Sequence, residues 1–184
     1  MLKAADVAKV LISMFQLDED GISNLKLQKL LYYTQGFSYQ RLNRPLFNDD
    51  FEAWAYGPVI REVYNTYKCC GQNPILSDDG DSISVDEQEL ELLLDVSREY
   101  GKYTGTTLSN MTHMAGGLWR KTYEKDKNNI ISKELIKEEF QNHTPQLKKN
   151  EALYRLSDED FVGYRDDDGF MVLPKEWDDE VQEV

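Results

Sequence analysis

The run SNLKLQKLLYYTQGFSYQRL, Ser23–Leu42, decides the fold. Ser23 or Asn24 suits a helix start, because a short polar side chain accepts from a first-turn N–H. Leu27, Leu30, Leu31, Thr34 and Phe37 then recur at helical spacing and share one face, which belongs to the core. Gln28, Tyr32, Gln35 and Tyr39 form a second stripe beside it. The ordinary reading of that stripe is a semi-buried flank whose Tyr rings pack while their hydroxyls stay wet. The functional reading is a seam facing a ligand or partner.

Other helices are legible on either side. Ala4, Val7, Ala8, Leu11, Ile12 and Phe15 predict an amphipathic helix over residues 3–16, ended by LDEDG. In FEAWAYGPVIREVYNTYK, Phe51–Lys68, Pro58 fits the first helical position, where its missing N–H costs nothing. Gly57 is then the bend, and Ile60, Val63, Tyr64 and Tyr67 give the helix its inner side. Trp54 and Tyr56 precede the bend on an extended piece, where alternation points both to one side.

The following loop carries a short strand expected at Ser82–Val85. A helix from Asp86 or Glu87 to Tyr100 follows, with Leu90, Leu93, Leu94 and Val96 or Ser97 as its inner face. A short helix over Thr107–Met114 is expected to hold His113, before a Gly-Gly break and Trp119. Ser132 caps a further helix without a capping box, since Leu135 stands where Glu or Gln would be needed. The expected fold is therefore mainly α: one multi-helix domain over 1–149, with a short extended segment before the Gly-Pro helix.

Residues 150–184 differ in composition, with 12 Asp/Glu against 3 Lys/Arg, a net of −9 out of −13 for the chain. Tyr154, Phe161, Tyr164, Phe170 and Trp177 keep this section from being a bare solvating tail. Two β-prone runs flank Asp168-Gly169, a strong turn signal, so a small C-terminal β-hairpin and an acidic tail are expected. Interleaved aromatics and acids make Phe161, Tyr164 and Phe170 candidate partner contacts.

The acidity argues against direct nucleic-acid binding, because phosphates would be repelled; it would steer a basic protein partner toward the chain, although plain solubility is the more common reason for such a charge. The two cysteines, Cys69 and Cys70, are adjacent and support neither a disulfide framework nor a zinc site. No signal peptide or membrane-length apolar run is evident, so a cytoplasmic protein is expected. Placing Gly169 as a calcium-loop glycine puts Tyr164 first and Lys175 last, which fails the EF-hand pattern. No nucleophile elbow, P-loop, dinucleotide fingerprint or zincin motif is present. No cofactor, metal or catalytic set is expected. His113 is a candidate general base only if a nucleophile or substrate lies near it.

Three blocks, LKLQKLLYYTQGFSY (Leu25–Tyr39), LFNDDFEAWAYGPVIREVYNTYK (Leu46–Lys68) and LSNMTHMAGGLW (Leu108–Trp119), together resemble the Panacea domain family. This is the group of SocA-like antitoxins and phage-associated GepA-like proteins. Order and spacing match across about residues 5–141, although the third block lacks the Pro that often precedes its Trp. The resemblance implies a mostly helical antitoxin that neutralises a cognate protein toxin by direct binding, in a phage or prophage setting. In that reading the Gln28/Tyr32 stripe, Trp54, Tyr56 and His113 form a shared groove, and Lys29, Gln35, Gly57, Pro58 and Trp119 are further candidate partner contacts. The competing readings are a small hydrolase-like enzyme with a Lys29/Tyr32/His113 pocket and a phage accessory regulator binding a host protein. Monomer and homodimer both stay open.

Overall fold

The helix expected at Ser23–Leu42 lies at the centre of the fold. The computed structural model describes residues 1–16, 21–76, 80–114 (Asp81 by its backbone), 117–125 and 127–149. Of the remainder it describes the backbone of 164–165 and 171–172. The chain divides into two units, Met1–Lys148 and Lys149–Val184.

In the first unit α1 (Ala4–Met14) precedes α2 (Asn24–Arg41). Ser23 caps α2 through its side chain, which accepts from the Lys26 N–H. From Leu27 to Tyr39 every residue of α2 is buried, as befits a core helix enclosed by its neighbours. The sequence suggested one buried face and a half-wet flank; both are inside.

Phe51–Trp54 (β1) and Gly57–Val59 (β2) form a hairpin, with Trp54 opposite Gly57. Ile130–Ile131 (β3) pairs on the other side of β1, giving an antiparallel sheet of order β2-β1-β3. The expectation that Gly57-Pro58 starts a helix is thus corrected: α3 begins later, at Arg61, and runs to Tyr67. Proline's fixed φ suits a strand as well as a helix start, and β2 is an edge strand, where a missing N–H leaves no ladder bond unmade. Val63 and Tyr67 still face the core.

Beyond a single 3₁₀ turn at Gly80–Ser82, no strand forms at Ser82–Val85. Helix α4 (Glu87–Tyr100) opens on a capping box in which Asp86 and Glu89 satisfy each other's backbone N–H. Its inner face is Glu89, Leu92, Leu93, Asp95 and Val96, whereas Leu90 is exposed, so the expected register is corrected. Ion pairs set the observed register. Asp95, wholly buried, bonds Arg41 at the end of α2 (2.7 Å) and Arg98, while Glu89 bonds Arg44 (3.0 Å).

Next come α5 (Gly105–Thr112), capped by Thr104, α6 (Leu118–Thr122) and α7 (Lys133–Glu138), capped by Ser132. A π-helical turn, Glu139–His143, drops Phe140 onto α2. There the Phe140 ring meets Tyr32, Tyr33 and Phe37 edge-on at centroid separations of 5.1–6.3 Å. Gly36 permits this approach, because a Cβ at that position would fall on the Phe140 ring.

In the second unit, Tyr164–Arg165 (β4) and Met171–Val172 (β5) pair antiparallel, with Tyr164 opposite Val172. This is the expected C-terminal hairpin, and its turn, with Phe161 and Phe170, lies outside the described residues. The fold is mainly α, with seven α-helices among the described residues.

Candidate functional site

The second sequence block supplies the β1–β2 hairpin, and the first and third hold it by bonds from three helices. From α2, the Lys29 ammonium donates to the Pro58 carbonyl at 2.7 Å. One residue earlier, Gln28 accepts from the Ile60 N–H at 2.9 Å, while its own amide N–H donates to Asn24. From α5, the Ser109 hydroxyl donates to the Tyr56 carbonyl at 2.8 Å. From α6, the Trp119 indole N–H donates to the Trp54 carbonyl at 2.7 Å. Backbone carbonyls that a two-stranded ribbon leaves free are thereby satisfied from three helices.

Gly57 is the tight point of this assembly. Its φ is +100°, a conformation that disfavours side chains, and a Cβ there would come 2.7 Å from Thr112 Oγ1 and 2.9 Å from Lys29 Nζ. The tip residues Ala55 and Tyr56 project outward, and Tyr56 is 71% exposed. Strand alternation would point Trp54 and Tyr56 to one side, but Tyr56 lies in the turn beyond β1, where alternation no longer holds. Trp54 ends β1 half-buried, edge-on to Tyr64 (4.9 Å) and beneath the Arg61 guanidinium (5.3 Å). Glu52 fixes both neighbours, accepting from the Trp54 indole N–H and from Arg61.

Lys29 and His113 sit behind the tip. Lys29 is wholly buried, and burial alone pulls its pKa down to about 7. His113 follows α5 directly as its C-terminal cap and stacks on Trp119 at 3.6 Å, with Trp119 stacked in turn on Tyr123. Burial, then the Lys29 and Arg120 charges, lower the His113 pKa, and its buried Nε2 has no hydrogen-bond partner. The Lys29 charge thus disfavours the charged form of His113.

The remaining candidates are structural supports in this geometry. Tyr32 packs its ring against Phe51 and Phe140, and burial raises its hydroxyl pKa far above the ordinary tyrosine value. Gln35 accepts from the N–H groups of Leu46 and Phe47 and donates to the Phe47 carbonyl, fixing the chain as it enters β1. Gln28, Lys29, Tyr32 and Gln35 are each under a tenth exposed, so none of them offers a face to a docking protein. They position the hairpin instead. Of the C-terminal candidates, Phe161 and Phe170 lie outside the described residues, and for Tyr164 only the backbone is described.

Sequence reading passed over Ser109, Thr112 and the Glu52–Arg61 pair, whose roles depend on contacts across the fold. It also passed over Met114, which is 67% exposed two residues beyond Thr112. An apolar residue next to His113 was a visible signal for a surface contact. Among the described residues no group of three or more His, Cys, Asp or Glu could hold a metal ion, and no helix is long and apolar enough to cross a membrane.

The family described as Antitoxin SocA-like, Panacea domain, matches residues 27–120, the span that holds most of α2, the hairpin, α5 and Trp119. The protein named Antitoxin SocA from Caulobacter vibrioides (strain NA1000 / CB15N) is 33% identical over 127 residues, covering 63% of this chain and 68% of that protein. No solved structure matches. With its three sequence blocks built into one hairpin clamp and its central half matched by the family, the chain belongs to the SocA-like Panacea-domain family.

Proposed function

We propose that this chain is an antitoxin that neutralises a cognate protein toxin by direct binding, with the hairpin tip as the shared contact. One observation carries the proposal: Tyr56 is a large, exposed aromatic on a backbone fixed from three helices. A pre-organised aromatic loses little freedom on docking, and such residues dominate interface energies. Similarity to a protein named an antitoxin supports the same reading. Trp54, Gly57, Pro58, His113 and Trp119 then shape and hold the contact. The acidic section 150–184, outside the span matched by the family, supplies partner-specific contacts through Phe161, Tyr164 and Phe170. The protein acts in the cytoplasm, in a phage or prophage setting, without catalysing a reaction.

The test is co-expression with the product of the neighbouring gene. Wild-type chain restores growth and co-purifies with that product. Loss of rescue with Tyr56→Ala, while the variant melts at the wild-type temperature, supports the tip. An absence of both rescue and co-purification with wild-type chain overturns the antitoxin reading.

A further inference from the structure

Cys69 and Cys70 are the chain's only cysteines, and the hairpin clamp uses neither. They end α3 in a single 3₁₀ turn, Lys68–Cys70, closed by the Gly71 N–H donating to the Lys68 carbonyl at 3.2 Å. Cys69 is exposed, while Cys70 is half-buried and packs against the core. Burial, then the neighbouring Cys69 thiol, raises the Cys70 pKa, so the two consecutive thiols of this turn act on each other. Beyond them the surface is open, since nothing lies within 4 Å of where a Gly71 Cβ would stand.

We propose that Cys69 and Cys70 form a dithiol site for trivalent arsenicals, separate from the hairpin tip. Two soft sulfur ligands side by side select a soft, thiophilic centre. A direct disulfide is the poorer alternative. Cα atoms joined by a trans peptide are about 3.8 Å apart, shorter than the range of about 4.4–6.8 Å that disulfides prefer. An inserted arsenic atom widens the ring and removes that strain.

The reaction balances without an oxidant. An arsenoxide, R–As=O, forms two As–S bonds. Its oxygen leaves as water with both thiol protons, and arsenic stays trivalent. Two thiols on one turn outcompete a free monothiol, because the second As–S bond is intramolecular. Helix α3, about 10 Å long by its seven residues, separates this site from the hairpin.

The test treats the full chain with phenylarsine oxide and follows it by intact mass spectrometry. Wild-type chain should hold one phenylarsenic group that survives excess mercaptoethanol and is released by dithiothreitol. Cys69→Ser and Cys70→Ser should each lose the mercaptoethanol-resistant adduct. Should Cys70→Ser fail to fold, Cys69→Ser at the exposed position carries the comparison alone. A wild-type adduct removed by mercaptoethanol, or a resistant adduct in Cys69→Ser, overturns the proposal.

Discussion

Replacing Lys29 with methionine separates the cost of a buried ammonium from the benefit of its bond to Pro58. The Lys29 pKa falls from 10.5 in the unfolded chain to about 7 in the fold. Its sign follows from which state holds the proton. Below about pH 7 both states are protonated and the full penalty stands. From there to pH 10.5 the unfolded chain holds a proton that the folded chain has released, so stability rises with pH. Between pH 7 and about pH 8.5 the gain from this one group is about 1.5 kcal/mol. His113, whose pKa is lowered, adds its own rise below pH 6.5. Cys70 and Tyr32, Tyr33, Tyr39 and Tyr100, all raised, act in the opposite sense from about pH 9 upward. The window of pH 7 to 8.5 is therefore dominated by Lys29. Urea unfolding followed by circular dichroism should show the wild-type midpoint rising across that window and the Lys29→Met midpoint staying level. The variant leaves the Pro58 carbonyl unpaired, which costs about 1–3 kcal/mol, and that loss is independent of pH. Equal slopes for the two proteins would refute the reasoning.

Three other substitutions probe the scaffold. Gly36→Ala sets a methyl group on the Phe140 ring and should cost about 1–3 kcal/mol, read as a lowered melting temperature. Asp95→Ala leaves Arg41 and Arg98 without their shared carboxylate and should cost about 3–5 kcal/mol, the usual penalty for breaking a buried pair, measured by denaturant titration. Trp119→Phe keeps a ring against His113 but loses the N–H bond to Trp54. It should cost about 1–2 kcal/mol and increase amide exchange around residues 54–57.

Helix α2 was legible because its information is local: a Ser23 cap and leucines at helical spacing. The meaning of its polar stripe was not. Gln28 and Gln35 look like the edge of a core until the backbone groups they satisfy, at Ile60 and at Leu46–Phe47, are brought beside them by the fold. Pro58 misled for a related reason. Its φ suits both a helix start and an edge strand, and only the pairing of Ala53 with Pro58 decides between them. In α4 a cluster of leucines offered more than one inner face, and the distant partners Arg41 and Arg44 chose among them. Of the candidate site, the sequence placed Trp54 on an extended piece but read Gly57-Pro58 as a helix start, where the fold makes them the second strand of a hairpin. It did not distinguish the residues that hold the tip from Tyr56, which the tip presents.

The most direct measurement is the affinity of purified chain for the neighbouring gene's product, by calorimetry, for wild type and Tyr56→Ala. An exposed hot spot at the tip predicts at least a ~30-fold weaker Kd, equivalent to about 2 kcal/mol, with an unchanged melting temperature. An equal Kd for the two proteins would contradict the tip as the binding surface.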